Sequence, residues 1–471
     1  MTGFYLSAAH KSSGKTMLSI GLSAAFRERQ LSVQCFKKGP DYIDPIWLSL
    51  AAGNPCQNLD FYTSSKEFIR AQFHHYGVDN QVILVEGNKG LHDGISVDGS
   101  DSNAAMAKLL NLPVVLVIDT AGITRGIAPL LQGYINFDPE IDIAGVILNK
   151  VGGRRHTAKL INAVENYTDL PVFGAITRDP SLALCERHLG LVPGNEIGDD
   201  ASILIEKWRQ QVEKEIDLEA LLKLGPPRQP QTDIQFFQSA RQSRLRIAIA
   251  RDAVFGFYYA ADLERFAALG VDLVNFDTTR DKLLPDNIDG LFIGGGFPET
   301  NLHSISRNTS LLLDIKQKIE SGLPTYAECG GLMYLCRRIS YKGQCADVAG
   351  VIPADVMMHD KPQGRGYVKL EAGKKHPWCD QHKSTEIHAH EFHYSTLTNC
   401  EEPLKFGYRI TRGQGIDGIN DGIICYNLLA SYSHLRHTDS CPWVDQFINF
   451  VSICKSENRY DYNQQECSHT N

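Results

Sequence analysis

The feature that most constrains the fold is an apolar segment that ends abruptly at a cysteine followed by two glycines. Residues 324–335 read Pro-Thr-Tyr-Ala-Glu-Cys-Gly-Gly-Leu-Met-Tyr-Leu. This order predicts a strand, a sharp turn at Cys329 and a helix, the geometry that aims a nucleophilic side chain into a cleft. A thiol at a helix N-terminus also lies at the positive end of the helix dipole, which favours the thiolate. A buried structural cysteine is the alternative, because the chain holds twelve cysteines.

Two further segments supply groups that this thiol would need. Upstream, an apolar strand pattern at residues 288–293 runs into three glycines, 294–296. Backbone N–H groups in such a glycine run are the type of donor that holds a developing oxyanion. Downstream, His434 follows another apolar strand pattern and is a candidate base for Cys329.

These three segments, in this order, resemble the class I glutamine amidotransferase domain. The resemblance implies that Cys329 attacks the side-chain amide of glutamine, forms a glutamyl thioester and releases ammonia. It also implies that His434 is the base and that Gly295 and Gly330 lie near the oxyanion. Most members of that class carry a glutamate two residues after the histidine, where this chain has Arg436. The cobyrinic acid amidase branch also lacks that glutamate, so the third partner of the Cys–His dyad stays open.

A phosphate-binding pattern lies near the N-terminus, between a strand pattern at residues 4–9 and a helical pattern from Lys15 to Arg29. Backbone N–H groups at the helix start cradle phosphates, Lys15 reaches the β- and γ-oxygens, and the hydroxyl of Thr16 can bind Mg²⁺. Alanine replaces the leading glycine of the usual pattern, and an ordinary polar helix start is the alternative. The residues of this loop expected to contact ATP are Ser12, Ser13, Gly14, Lys15 and Thr16.

Acidic residues follow the next strand patterns. Asp41 and Asp44 lie three residues apart in the glycine- and proline-bounded run at residues 39–45. Glu86 ends an apolar strand pattern at residues 82–85, where a carboxylate can meet a metal held by the phosphate-binding loop. Solvated turn residues are the alternative for Asp41 and Asp44.

The motifs at residues 39–45, 85–87 and 90–94 resemble signatures of the cobyrinic acid a,c-diamide synthase family, in which a P-loop amidoligase is fused to a class I glutamine amidotransferase domain. Further motifs in family order, among them residues 187–191, extend the resemblance over nearly the whole chain. Asn149 resembles the family's contact to the nucleotide base, with a plain turn as the alternative. The resemblance further assigns Thr16, Asp41 and Glu86 to the metal, and Asp44 and Asp93 to the substrate.

The implied reaction is ATP- and glutamine-dependent amidation of the a and c side-chain carboxylates of a tetrapyrrole. The carboxylate becomes an acyl phosphate, which ammonia from Cys329 attacks, and the cofactors are ATP and Mg²⁺. A related branch amidates sirohaem, and nickel-sirohydrochlorin is another relative's substrate, so the macrocycle stays open. Lys89 stands where cobyrinate enzymes usually carry apolar residues, and either meets an extra carboxylate or is solvated. A non-enzymatic alternative is a P-loop switch protein with an inactive amidotransferase-like module.

The alternation of strand and helix patterns predicts an α/β fold in two domains. A proline- and glutamine-rich stretch without apolar periodicity separates them. We expect an N-terminal P-loop domain with a doubly wound parallel sheet at residues 1–225 and a linker at 226–243. A class I glutamine amidotransferase-like, flavodoxin-like α/β domain is expected at 244–455, followed by a polar tail at 456–471.

Composition narrows the partners and the compartment. The formal net charge of -8 argues against a general binder of nucleic acid or of membrane surfaces. No apolar run approaches the ~20 residues that span a bilayer, no signal peptide is recognisable, and the cysteines form no Cys-x-x-Cys pair. We therefore expect a cytoplasmic protein whose partners are glutamine and a polycarboxylate tetrapyrrole. A homodimer is compatible with the sequence, which does not decide the oligomeric state.

Two groups of basic side chains stay unassigned at this stage. Strand alternation would place His388 and His390 on one face, near His393, but no cysteine or carboxylate completes a convincing zinc site. The basic trio at residues 154–156 either faces an anionic substrate or begins an exposed helix.

Overall fold

The computed structural model describes residues 1–179, 182, 186–187, 190–225, 244–378, 386–401 and 403–457. The expected linker at 226–243, the family-like residues 188–189 and residues 458–471 of the expected tail lie outside this part of the chain. The chain divides into two compact units, Met1–Phe236 and Phe237–Asn471, called the N-terminal and C-terminal units below.

The N-terminal unit is built on a parallel sheet, with seven strands among its described residues, in the order β3-β2-β4-β1-β5-β6-β7. These strands are β1 (Thr2–Ala8), β2 (Val33–Lys38), β3 (Gln57–Leu59), β4 (Val82–Glu86), β5 (Val114–Asp119), β6 (Ile143–Val151) and β7 (Val172–Thr177). The central strands are nearly continuous apolar runs because both of their faces are covered.

Helices cover the two faces of this sheet, as expected for a doubly wound fold. They are α1 (Lys15–Glu28), α2 (Ile43–Ala52), α3 (Lys66–Gly77), α4 (Asn103–Leu110), α5 (Ile127–Phe137) and α6 (Arg154–Tyr167). Later elements are β8 (Glu186–Arg187), β9 (Gly190–Leu191), α7 (Gly194–Ile197), α8 (Asp199–Glu215) and α9 (Leu218–Leu222). One apolar cluster joins the sheet to α3, α4, α5 and α6, whereas α1 packs against α2 and α8.

The C-terminal unit is built on a mixed sheet, with nine strands among its described residues, in the order β12-β10-β13-β15-β24-β23-β22-β19-β20. The first five strands in this order, which end with β24, pair in parallel. The remaining neighbours, from β24 to β20, pair antiparallel. They are β10 (Arg246–Ala250), β12 (Asp272–Phe276), β13 (Gly290–Ile293), β15 (Thr325–Glu328), β19 (Gly364–Ala372), β20 (Glu386–His393), β22 (Lys405–Arg412), β23 (Asn420–Cys425) and β24 (Leu428–Ser431).

Helices and short strands complete this unit. The helices are α10 (Ala260–Ala268), α11 (Leu302–Arg307), α12 (Thr309–Glu320), α13 (Gly330–Leu335) and α14 (Trp443–Ser456), and the short strands are β11 (Phe255–Phe257), β14 (Gly295–Gly296), β16 (Arg338–Tyr341), β17 (Gln344–Asp347), β18 (Asp355–Met358) and β21 (Ser395–Thr398). One apolar cluster packs α11, α12 and α13 on the sheet, and a second packs α10 and α14. The expected α/β fold class is confirmed, and the antiparallel half of the sheet is an addition to it.

The strand order brings the predicted motifs of the C-terminal unit together. β13, β15 and β24 are neighbours and run in parallel, so their carboxyl ends lie at one edge of the sheet. The glycine run follows β13, Cys329 follows β15 and His434 lies shortly after β24. Ligand sites of open α/β sheets form at this edge.

Candidate active sites

Cys329 occupies a strained turn between β15 and α13. Its backbone has φ 50° and ψ -103°, a combination that costs a residue with a side chain about 1–3 kcal/mol and is found mainly at functional sites. Two hydrogen bonds hold the turn: the N–H of Cys329 donates to the carbonyl of Ser431 (2.7 Å), and its carbonyl accepts from the N–H of Met333 (3.1 Å). The predicted strand, turn and helix are therefore present, and the thiol is directed by backbone geometry.

The imidazole of His434 lies beside this thiol, and the two side chains share a hydrogen bond. Burial by itself would lower the pKa of His434, but hydrogen bonds to Cys329 and Glu328 outweigh it and raise the pKa to about 10. A protonated imidazole next to the sulfur favours the thiolate, which is the nucleophilic form of cysteine. The structure thus brings together the two residues that the sequence analysis proposed as nucleophile and base.

Glu328, a residue that the sequence patterns did not indicate, is the carboxylate that completes this cluster. Its Oε2 lies 3.2 Å from Nδ1 of His434, and the residue is buried. Arg436, which stands at the usual glutamate position, places its guanidinium 5.7 Å from the ring centroid of Tyr259. A signal was present in the sequence, because a carboxylate at the end of an otherwise apolar strand must find a partner when it is buried.

The glycines expected near the oxyanion pack closely against this cluster. A Cβ at Gly295 would lie 2.6 Å from Cε1 of His434, and one at Gly330 would lie 2.6 Å from the carbonyl oxygen of Gly296. Neither position has room for a side chain. As the first residue of α13, Gly330 also carries an N–H group that the helix does not use for itself.

In the N-terminal unit, the phosphate-binding loop joins β1 to α1 and is braced by later strand ends. Gly14 has φ 88° and precedes the first residue of α1. The side-chain amide of Asn149, at the end of β6, donates to the carbonyl of Ser13 (2.8 Å), and Lys150 donates to the carbonyl of Ser12 (2.9 Å). Asn149, which was expected to contact the nucleotide base, lies against the phosphate-binding loop with its side-chain amide directed to the loop backbone.

Thr16 lies at the centre of a cluster of charged side chains at the strand ends. Its hydroxyl donates to Glu86 (2.9 Å) and to Asp44 (3.2 Å). Lys37 bonds the same two carboxylates at 2.5 Å each. Burial would lower the pKa of Lys37, but Asp44 and Glu86 outweigh it and raise that pKa well above its ordinary value. Lys37 was not identified from the sequence, although a buried lysine at a strand end is itself unusual.

The remaining predicted residues of this site have mainly local partners. Oδ1 of Asp41 accepts from the N–H groups of Ile43 and Asp44 at the start of α2. Burial and the nearby Asp44 raise the pKa of Asp41 to about 7, although Lys37 opposes this. Asp93 accepts from the N–H of Gly90 (3.0 Å). Asp44, rather than Asp41, is the residue of this pair that contacts Thr16.

The ammonium group of Lys15 lies on the loop that follows β4, donating to the carbonyl of Lys89 (2.7 Å). Burial and the charge of Lys37 lower the pKa of Lys15 to about 8, against the opposing effect of Glu86. Lys89 is exposed. Phosphate oxygens entering the loop would be a stronger partner for this cation than a carbonyl oxygen.

The two unassigned basic groups have structural neighbours. His388 lies 2.9 Å from Glu386, and the ring of His393 stacks on Tyr432 at 3.8 Å between centroids. Within the described residues, no group of three or more histidine, cysteine or acidic side chains is arranged to hold a metal ion. Residues 154–156 begin helix α6, with Arg154 exposed.

None of the helices in the described ranges is both long and apolar enough to cross a bilayer.

Fold and sites together define a class: a P-loop nucleotide-binding domain joined to a glutamine amidotransferase domain. Residues 8–191 match the CobQ/CobB/MinD/ParA nucleotide binding domain, and residues 246–440 match the CobB/CobQ-like glutamine amidotransferase domain. The chain is 41% identical over 447 residues to the cobyrinate a,c-diamide synthase of Magnetococcus marinus, which covers 93% of this chain and 94% of that protein. The enzyme of that name from Dehalococcoides mccartyi is 38% identical over 453 residues, 94% and 96% of the two chains.

The chain belongs to the cobyrinate a,c-diamide synthase family. It is an ATP-dependent carbon–nitrogen ligase that uses glutamine as the amido donor. The family and enzyme class expected from the sequence are confirmed.

Proposed function

We propose that this chain amidates the a and c side-chain carboxylates of cobyrinate, in cobalamin biosynthesis, with ATP and glutamine. The observation that carries the proposal is the hydrogen-bonded pair of Cys329 and His434 in a chain that also carries a P-loop. A nucleotide switch would leave the strained cysteine without a purpose, and a glutaminase alone would leave the P-loop without one. We assign the enzyme to the cytoplasm, where Cys329 stays reduced.

In the C-terminal unit, the sulfur of Cys329 attacks the side-chain amide carbon of glutamine. The C–S bond forms, and the negative charge that develops on the amide oxygen meets N–H groups of the glycine segments at Gly295 and Gly330. The C–N bond then breaks as the imidazolium of His434 passes a proton to the leaving nitrogen. Water hydrolyses the resulting thioester, which returns the thiol and releases glutamate.

In the N-terminal unit, the loop at residues 12–16 holds ATP, with backbone N–H groups and Lys15 on the phosphates. The residues near Thr16 suit Mg²⁺, because this cation prefers oxygen ligands and shares them with substrate phosphates. One oxygen fits that role in particular: Oε2 of Glu86 is buried without a hydrogen-bond partner among the described residues. When bound, the metal neutralises charge on the phosphoryl group that is transferred.

The geometry refines the roles of the two aspartates. We propose that Thr16, Glu86 and Asp44 lie on the metal, because the hydroxyl of Thr16 already contacts both carboxylates. Asp41 then acts on the metal site through Asp44, whose backbone N–H donates to it (3.1 Å). Lys37 balances the charge of this pair of carboxylates. Asp93 remains the candidate for holding the substrate.

The γ-phosphoryl group passes to a ring carboxylate and gives an acyl phosphate, whose carbonyl carbon ammonia then attacks. The C–N bond forms as phosphate leaves, and one carboxylate oxygen departs with it. Ammonia must stay unprotonated to act as the nucleophile, because only the neutral form has a lone pair to attack with. The same sequence of steps then serves the second carboxylate.

Cobyrinate is distinguished from the other macrocycles by a direct test. The purified chain is incubated with ATP, Mg²⁺ and glutamine together with cobyrinate, sirohydrochlorin or sirohaem, and product masses are recorded. We expect two successive amidations on cobyrinate and little turnover of the other two. Preferred amidation of sirohaem or sirohydrochlorin would move the chain to that branch, and no amidation of any of the three would contradict the proposal.

Replacing the nucleophile separates the two halves of the reaction. Cys329→Ser is expected to abolish glutamine-dependent amidation while ammonium-dependent amidation continues within about two-fold, because the phosphate chemistry does not use the thiol. The matched control is Cys345→Ser, at an exposed cysteine, which should keep both activities. Retained use of glutamine by Cys329→Ser would show that the nucleophile is assigned wrongly.

Lys15→Ala tests the phosphate chemistry, as Cys329→Ser tests the use of glutamine. Loss of its charge from the phosphates should reduce amidation by at least about 10²-fold with either nitrogen source, while Cys329 keeps its reactivity toward iodoacetamide. The control is Lys66→Ala, at the exposed start of α3, for which we expect no change. Amidation by Lys15→Ala at the native rate with ammonium would remove the P-loop from the mechanism.

A further inference from the structure

We propose that Glu328 is a positioning residue of the glutaminase site, fixing the orientation and tautomer of His434 from the strand that carries the nucleophile. The proposal rests on the proposed roles of Cys329 and His434. It answers a question that those roles leave open, namely which group stabilises the imidazolium when position 436 is an arginine.

The two oxygens of this carboxylate have separate partners. Oε2 lies 3.2 Å from Nδ1 of His434. Oε1 accepts from the hydroxyl of Tyr326 (2.6 Å) and from the backbone N–H of Leu435 (2.9 Å). Two groups other than the histidine therefore hold the carboxylate, and they restrict its orientation independently of the imidazole. Such supporting hydrogen bonds are what place a catalytic group accurately.

The backbone and the ring of His434 are also constrained. Its N–H donates to the carbonyl of His390 (2.7 Å), and the N–H of His390 donates back (3.3 Å). Gly295 packs against Cε1 of the ring, with no room for a side chain. Since Nδ1 faces Glu328, Nε2 is the ring nitrogen that remains for the thiol of Cys329.

Among the titratable groups near His434, Glu328 is the carboxylate that contacts the imidazole. His390, on β20, interacts with His434, but burial lowers the pKa of His390 to about 3, so it is neutral. Burial raises the pKa of Asp262, in the first turn of α10, to about 7, and that residue accepts hydrogen bonds from the backbone of His437 and the indole of Trp443. The groups that face the imidazole directly are therefore Cys329 and Glu328.

The chemical consequence follows from proton positions. An anionic Glu328 accepts a hydrogen bond from Nδ1–H of His434, so that Nε2 is the nitrogen that takes the thiol proton, and the carboxylate stabilises the imidazolium that results. In Glu328→Gln, the amide oxygen can still accept from Leu435 and Tyr326, but the amide nitrogen presents a hydrogen to Nδ1. Nδ1 must then accept, the ring proton moves to Nε2, and the ring loses its ability to take the thiol proton. The equivalent exchange in a Ser-His-Asp triad lowers kcat about 10⁴-fold.

The experiment compares Glu328→Gln and Glu328→Asp with the native chain. Three quantities are measured: glutaminase kcat/KM, ammonium-dependent amidation, and the pH dependence of Cys329 alkylation by iodoacetamide, read by mass spectrometry of the peptide that contains it. We expect Glu328→Gln to lose about 10²- to 10⁴-fold in glutaminase activity and to shift the alkylation midpoint to higher pH. Ammonium-dependent amidation should stay within about two-fold. Glu328→Asp keeps the negative charge, so its glutaminase activity and its alkylation midpoint should lie between those of the native chain and those of Glu328→Gln.

Glu391→Gln is the matched control. Glu391 is also a buried carboxylate of this unit, and it accepts from the N–H groups of Gln414 and Gly415 at 2.7 Å each. Its replacement should leave the alkylation midpoint unchanged. A purely structural role for Glu328 would lower the unfolding temperature of Glu328→Gln without moving the alkylation midpoint, and that result would overturn the proposal.

Failure of this proposal is distinguishable from failure of the proposed function. If Cys329→Ser abolishes glutamine use while Glu328→Gln retains glutaminase activity within a few-fold, only the role of Glu328 is wrong. If Cys329→Ser itself keeps glutamine use, the glutaminase mechanism falls as a whole. Should Glu328→Gln fold poorly, Glu328→Asp still decides the matter, because an unchanged alkylation midpoint together with native glutaminase activity in that variant contradicts a positioning role.

Discussion

The hydrogen-bonded series from Glu328 through His434 to Cys329 is the interaction on which the C-terminal unit depends for its chemistry. Each member is buried, so each needs the others: the carboxylate requires a donor, the imidazole requires an anion to hold its charge, and the thiolate requires a cation. The series exists because β15 and β24 are parallel neighbours, with Glu328 in register with Ser431. The strained turn at Cys329 then places the sulfur on one side of the imidazole and the carboxylate on the other.

In the N-terminal unit, the register of parallel strands also brings buried charged groups together, here at the phosphate-binding loop. Lys37 and Glu86 are direct neighbours across the parallel pair of β2 and β4, at the strand ends where the loop from β1 also arrives. A cation and an anion meet there in the register that the sheet imposes, and Thr16 joins them from the start of α1. Both units therefore place polar and charged groups at the carboxyl ends of buried parallel strands, where the backbone is rigid and the ligand edge is open.

Local patterns predicted much of this architecture. Helix α1 begins at Lys15 and strand β4 at Val82, where the sequence patterns predict them, and Cys329 lies at the predicted turn. Glu328, Lys37 and the contact of Thr16 with Asp44 were not predicted, because they depend on which strands become neighbours and in what register. Spacing along the chain alone could not choose between Asp41 and Asp44. The antiparallel half of the second sheet was missed for a similar reason, since its strands pair with partners distant in sequence.

We propose that nitrogen released at Cys329 is consumed at a carboxylate that phosphate activates in the same chain. Glutamine labelled with ¹⁵N in its side-chain amide, supplied with ATP, Mg²⁺, cobyrinate and an excess of unlabelled ammonium at neutral pH, tests it directly by mass spectrometry of the diamide. We expect both new amides to carry predominantly ¹⁵N, because ammonia released at Cys329 is consumed before it mixes with the bulk pool. Amides that carry mainly unlabelled nitrogen from the added ammonium, while glutamine is hydrolysed, would contradict this coupling.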